Sequence, residues 1–159
     1  MDSIQVQEIM AHDLIIISPE KMVNSAAKLM KEMNCGSLPV GNGPKHIVGM
    51  ITDRDITLRV TAEGKDASNM PIADAMTQKV YSCDVATDIE DAAEQMREYD
   101  VRRLIVTREG RATGIVTLAQ LLCNQDKLRI SDKVLHDLLR GKKKSPVKHV
   151  RTIKPEEGY

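Results

Sequence analysis

Thr52, Asp53, Arg54 and Asp55 stand where an apolar run, "GMITDRDI" (49–56), turns from strand-like to helix-like, and "GIVTLAQL" (114–121) repeats the junction with Thr117 and Gln120 in place of Thr52 and Asp55. A threonine followed three residues later by an acid or amide is a capping box. Its hydroxyl accepts from the third helical N–H, and the later side chain reaches back to the capping residue. The same geometry can serve a ligand. A helix N-terminus offers unpaired N–H groups and a positive dipole end, which suit a phosphate. A carboxylate one turn in can accept from vicinal ribose hydroxyls, as an acid does in dinucleotide-binding folds. Gln120 is a neutral and weaker acceptor, so the charged anchor is present in one copy only. Phosphates also need cations, and Arg54, Arg102 and Arg103 are the candidates beside salt-bridged or solvated arginines. Neighbouring strand residues face opposite sides. At most one of Arg102 and Arg103 is therefore expected to face a cleft, with Arg102 favoured.

Other reactive side chains give weaker patterns. Cys35, Cys83, Cys123, His12 and His46 could meet around a metal, but no C-x-x-C or H-x-x-x-H spacing occurs. A metal- or thiol-responsive switch is thus an alternative carried by composition alone. No nucleophile elbow, Walker loop or Rossmann fingerprint appears. Asp53 and Asp55 are separated only by Arg54, a poor arrangement for an acid–base pair. The chain reads as a non-enzyme.

The totals narrow the classes further. Of 159 residues, 23 are basic and 23 acidic, so no net field favours nucleic acid or a membrane surface. No run of about 18 apolar residues is present to span a bilayer. The opening "MDSIQVQEIM" lacks the pattern of a signal peptide. An odd, scattered set of three cysteines suits a reducing cytoplasm. There is no Phe or Trp and there are three Tyr. That leaves little for the aromatic stacking that RNA and single-strand binders use, which argues against a nucleic-acid partner.

The elements that must position these residues come twice. "VQEIM" (6–10) parallels "IADAM" (72–76), "NSAAKLMKEM" (24–33) parallels "EDAAEQMREY" (90–99), and "SLPV" (37–40) parallels "RLIV" (103–106). Each copy reads as a short helical opening, a short strand (Leu14–Ile17 or Val80–Cys83), an amphipathic helix, a hairpin and a closing helix. Val23, Ala26, Ala27, Met30 and Met33 recur at helical spacing in the first copy, as do Ile89, Ala92, Ala93 and Met96 in the second. Each copy is β-α-β-β-α and too small for a secure core alone. The fold class is therefore α/β (α+β), with two units packed sheet to sheet about a pseudo-two-fold axis. Residues 4–62 form the first, polar residues 63–70 a linker, and 71–124 the second. In 125–159, "SDKVLHDLLRG" reads as a helix with Ser131 as N-cap and Gly141 after its end. Val134, Leu135, Leu138 and Leu139 form its apolar stripe, and the basic Lys142–Lys144 follow. The extension is expected to be solvated, or else to brace a dimer or to contact an acidic partner.

This order of elements, with Gly36-Ser37-Leu38-Pro39-Val40 and Gly49-Met50-Ile51-Thr52-Asp53-Arg54-Asp55, resembles the CBS domain in tandem, the Bateman module of small prokaryotic proteins. The resemblance implies regulation by an adenine nucleotide (AMP, ADP, ATP or a related compound) in the cleft between the domains, with no catalytic cofactor. It implies a ribose on Asp55, Thr52 near ribose or phosphate, and adenine between Ile16, Ile17, Ser18 and Gly36, Ser37, Leu38, Pro39. Arg54, Arg102, Arg103 and Leu104 would complete the ligand contacts, and Thr117 with Gln120 would form a weaker second site. A homodimer through the amphipathic helices, left with Met30, Met33 and Met96 to cover, and an unidentified regulated protein are the implied partners. The alternative is a structural or dimerisation module without ligand.

Overall fold

The repeat in the sequence is a repeat in space. The computed structural model describes residues 3–124 and 130–141. In the first copy, helix α1 (Val23–Met33) leads into an antiparallel hairpin of β1 (Ser37–Gly41) and β2 (Ile47–Thr52). Helix α2 (Asp53–Ile56) follows and runs on through a π-helical turn at Thr57–Thr61. The second copy contains α3 (Ile72–Ala75), β3 (Ser82–Asp84), α4 (Ile89–Tyr99), β4 (Arg103–Arg108), β5 (Arg111–Thr117) and α5 (Leu118–Cys123). Both long helices stop in the same way. Asn34 and Asp100 take the left-handed conformation that ends a helix, at φ 50° and 55°. The N–H groups of Cys35 and Val101 then return to the carbonyls of Met30 and Met96, each at 3.0 Å. The result is an α+β fold with, among the described residues, one two-stranded and one three-stranded sheet. Among the described residues, no helix is long and apolar enough to cross a membrane.

The copies differ at their first strand. Val80–Cys83 was the expected strand, and β3 forms two positions later, parallel to β4. The expected strand Leu14–Ile17 is reduced to a single parallel bridge between Ile17 and Val40. Pro39 explains this. Its counterpart Ile105 donates its N–H to the Tyr81 carbonyl at 3.0 Å. Pro39 has no N–H to offer Ile15, so the parallel ladder cannot extend past the bonds Ile17 N–H to Pro39 O and Gly41 N–H to Ile17 O.

The opening turns are exchanged between the copies. Val6 and Met10 lie in the core built by Ile89, Ala92, Met96, Leu104 and Val116 of the second copy. Ile72 and Ala75 of α3 lie in the core built by Val23, Ala26, Val40 and Ile51 of the first. Backbone pairing fixes both exchanges. Ala11 and Ile115 bond reciprocally at 2.9 and 3.2 Å, as do Met50 and Thr77 at 2.9 and 2.8 Å. Each core therefore includes an opening turn from the other stretch. The linker takes part as well, because the carbonyls of Ala67 and Met70 accept from Asn24 and Val23, orphan donors at the start of α1. Between the sheets, Met50, Ile105 and Ala112 form a third cluster with Ile47, Val80 and Ile115 around it.

Helix α6 (Asp132–Arg140) starts at Ser131, whose hydroxyl accepts from Val134 N–H, and ends at Gly141 with φ 72°. It is docked rather than solvated. Leu138 is buried in the second core, and Ile130 and Val134 pack against that core. This changes the account of the helical faces. Met30 and Met96 are 6% and 0% exposed, so neither awaits a partner subunit. Ala93, beneath the α6 side of the molecule, is buried, whereas Ala27 and Met33 of uncovered α1 are exposed. Lys142–Lys144 lie outside the described residues.

Candidate functional site

The packing of the two copies produces two clefts, and each draws on both. The strand-to-helix junction of one copy faces the first strand and the pre-hairpin segment of the other. The first cleft, about 330 Å³, is lined by Met50, Thr52, Asp53 and Arg54 from one side and by Thr77, Lys79, Val80, Tyr81, Asp100, Val101, Arg102, Arg103 and Ile105 from the other. The second, about 480 Å³, is lined by Ala11, Asp13, Ile15, Met33, Cys35, Ser37, Leu38 and Pro39, with Ile115, Thr117 and Gln120 opposite.

Both capping boxes are formed. Thr52 N–H donates to Asp55 Oδ2 and Asp55 N–H to Thr52 Oγ1, each at 3.0 Å. Thr117 N–H donates to Gln120 Oε1 at 2.8 Å, and Gln120 N–H to Thr117 Oγ1 at 3.3 Å. Asp55 has additional partners. Its Oδ1 accepts from the Thr77 hydroxyl at 3.3 Å and lies 3.7 Å from the Arg59 guanidinium. The carboxylate thus ties α2 to the exchanged opening segment of the other copy. Gly36 leaves room for this corner, since a Cβ there would meet Asp53 Oδ2 at 2.9 Å.

Charge separates the two clefts. Lys79, Arg102 and Arg103 of the first occupy the repeat positions of Asp13, Gly36 and Ser37. Among the described residues, the second cleft therefore has no cation in its wall, and Asp13 is its one charged lining residue. Arg102 and Arg103 both line the first cleft, because β4 begins at Arg103 and the alternation of a strand does not extend back to Arg102. Their states differ. Arg102 is exposed and donates through Nη2 to the Leu139 carbonyl at 3.0 Å. Arg103 is half-buried, and its guanidinium makes no hydrogen bond or close ion pair among the described residues, although Asp53 and Asp55 are near enough to attract it. Burial holds its pKa below the usual guanidinium range; Asp53 and Asp55 oppose the shift, and Arg102 adds to it. A cation kept partly out of water without a direct hydrogen-bonded partner favours an incoming anion.

The aromatic content also converges here. The rings of Tyr81 and Tyr99 stack with centroids 4.2 Å apart, and Lys79 Nζ lies 5.3 Å from the Tyr81 centroid. Met50, Val80, Tyr81 and Ile105 give the first cleft an apolar wall.

The structure brings Thr52, Arg54, Arg102 and Arg103 together, with Asp55 behind Thr52. It places Ser37, Leu38 and Pro39 with Thr117 and Gln120 in the other cleft. Ile16, Ile17 and Ser18 line neither. They border a shallow depression beside Lys21 and Leu29. Leu104 is fully buried in the second core, so its side chain lies off the cleft. Met50, Lys79, Val80, Tyr81 and Ile105 were missed by the sequence reading. The repeat held their signal, since Val80 and Tyr81 match Leu14 and Ile15, but the pairing of each junction with the opposite copy is a long-range feature. Cys83 is buried with its thiol pushed up to about 11, while Cys35 and Cys123 are exposed. Among the described residues, no three His, Cys, Asp or Glu side chains cluster to hold a metal.

The CBS domain family model matches twice, at residues 6–61 and 72–124. The chain belongs to the CBS domain family. Tandem CBS domains are typically regulatory ligand-binding modules. This CBS pair is 36% identical over 120 residues to the CBS domain-containing protein YhcV of Bacillus subtilis (strain 168), covering 76% of this chain and 84% of that one. Among solved structures it is similar to Hypoxic Response Protein I with two coordinated zinc ions, at TM-score 0.66 and 29% identity, over 76% of this chain and 98% of that one. It is also similar to a hexameric CBS-CP12 protein from bloom-forming cyanobacteria, at TM-score 0.72 and 27% identity, over 79% of this chain and 74% of that one.

Proposed function

We propose that this CBS pair is a non-catalytic sensor that binds an adenine nucleotide in its first cleft and reports the occupancy to a regulated protein. The observation that carries the reading is the half-buried Arg103, its guanidinium without a hydrogen bond among the described residues, in the cleft that also holds Lys79, Arg54 and Arg102. A phosphate would complete that set. Met50, Val80 and Ile105 offer an apolar slot for a base, bordered by the Tyr81 side chain. The Asp55 carboxylate, 12% exposed, has lone pairs left for a ribose edge after serving Thr52 and Thr77.

Calorimetric titration with AMP and with ATP tests this. Asp55→Ala removes a charged acceptor and should weaken binding about 5- to 30-fold, the gap between a charged and a neutral hydrogen bond. Gln120→Ala, in the cation-free cleft, should leave affinity within about twofold, although it costs roughly 1 kcal/mol of helix capping. Heat absent at millimolar nucleotide would leave the capping boxes as structural devices. Loss of binding in Gln120→Ala alone would move the ligand to the second cleft.

The same proposal includes a homodimer, now through α1, whose Ala27 and Met33 are uncovered, and not through α4. A dimer mass in sedimentation velocity at micromolar concentration is the expected result; a monomer refutes this part.

A further inference from the structure

We infer that helix α6 is the element that senses occupancy of the first cleft, because phosphate in the cleft and the carboxyl end of α6 compete for the Arg102 guanidinium. The inference rests on the nucleotide reading above for its ligand and adds the output of that site. Arg102 lines the cleft and at the same time donates to the Leu139 carbonyl at 3.0 Å. Gly141 also comes near the cleft at the same corner. Asp100, another cleft residue, has its Oδ1 3.3 Å from where a Cβ on Gly141 would sit. The last turn of α6 thus lies close to the cleft wall at two residues of one short segment.

The rest of the helix is held elsewhere. Leu138 is buried in the second core, and Asp137 lies 3.8 Å from Arg97 of α4. Neither residue faces the cleft. Bound phosphate therefore acts on the end of α6 and leaves its apolar anchor in place.

The competition has a physical direction. A guanidinium binds phosphate through paired charge-assisted hydrogen bonds, about twice as strong as a bond between neutral groups. The Leu139 carbonyl is neutral, and this contact is exposed, so water can replace the lost donor. Arg103 beside it would already hold the anion within reach. Moving Arg102 to phosphate also takes a cation from the negative end of the α6 dipole. Both effects loosen the last turn. By linkage, whatever holds α6 down weakens the nucleotide by the same factor.

Hydrogen–deuterium exchange on the full chain, read at the peptides covering 132–141, tests the inference in two arms. Without ligand, Arg102→Gln should speed exchange in the last turn of α6 about three- to tenfold, the expected yield of one lost hydrogen bond, while α1 stays unchanged. Saturating ATP should produce the same acceleration in the wild type and none beyond it in Arg102→Gln. Unchanged exchange in unliganded Arg102→Gln overturns the inference, whatever ATP does. Calorimetric binding of ATP with no change at α6 overturns it and leaves the nucleotide reading intact. No calorimetric binding at all, with Arg102→Gln still accelerating exchange, overturns the nucleotide reading and the coupling together while the Arg102 contact stands.

Discussion

Arg103→Gln is expected to weaken ATP binding about 10- to 150-fold while leaving the unliganded protein at least as stable as the wild type. The affinity loss corresponds to one hydrogen bond between charged groups, about 1.5–3 kcal/mol. The stability half follows from the direction of the pKa shift. Burial lowers the folded-state pKa of this base, so the fold disfavours its charged form at every pH below that value. A shorter, neutral amide escapes that cost. A structural arginine would behave in the opposite way, because its removal would lower the melting temperature. Calorimetry paired with thermal unfolding separates the two. A variant that melts well below wild type and still binds ATP normally would show that Arg103 serves the fold and not a ligand. Raising the salt concentration should weaken wild-type binding more than binding by the variant, since the variant has one fewer cation to screen.

The second large effect concerns stability. Gly114→Ala should cost about 2–4 kcal/mol and lower the melting temperature by roughly 5–15 °C. A Cβ on Gly114 would stand 2.4 Å from the Ala11 carbonyl oxygen and 3.0 Å from Met10 Sδ. The nearest atom is backbone, so no rotamer relieves the clash. The flanking bonds between Ala11 and Ile115 must stretch or break, and Val6 and Met10 are pulled from the second core with them. Gly49→Ala, at the matching position, should cost less. There the closest atom is Met76 Sδ at 2.7 Å, the mobile end of a flexible side chain, although the Thr77 carbonyl at 2.8 Å limits the relief. Urea unfolding of both variants measures the difference. A Gly114→Ala protein within about 0.5 kcal/mol of wild type would mean that the Ala11 segment simply moves aside.

Local features were legible before the structure, and long-range ones were not. The capping spacing of Thr52 with Asp55 and Thr117 with Gln120 lies within four residues, and both boxes form. The helical periodicity of α1 and α4, and Ser131 at the start of α6, are equally local. Pro39 was visible in "SLPV" against "RLIV", and a proline facing a parallel neighbour was warning enough that Leu14–Ile17 would not form a full strand. The grouping of site residues required knowledge of which copy faces which. Gly36–Pro39 and Thr52–Asp55 are close in sequence, yet Ser37, Leu38 and Pro39 open into one cleft and Thr52 into the other. Nor could the burial of Met30 and Met96 be read without the packing that covers them. A repeat too small to close its own core seeks cover, but periodicity does not say whose surface provides it.

The reciprocal exchange of opening turns has a consequence for how the two clefts can differ. A chain holding one copy could close its core only by trading that turn with a twin, and the twofold axis of such a pair would make both clefts identical. Any cation placed in one would appear in the other. Joining the copies through 63–70 turns that bimolecular trade into an intramolecular one at high effective concentration. It also gives each cleft its own codons. Lys79, Arg102 and Arg103 can then stand in one cleft while Asp13, Gly36 and Ser37 stand in the other, a division of labour that strict symmetry forbids. A cut within 63–70 should accordingly yield two fragments that remain clasped, each carrying the missing piece of the other.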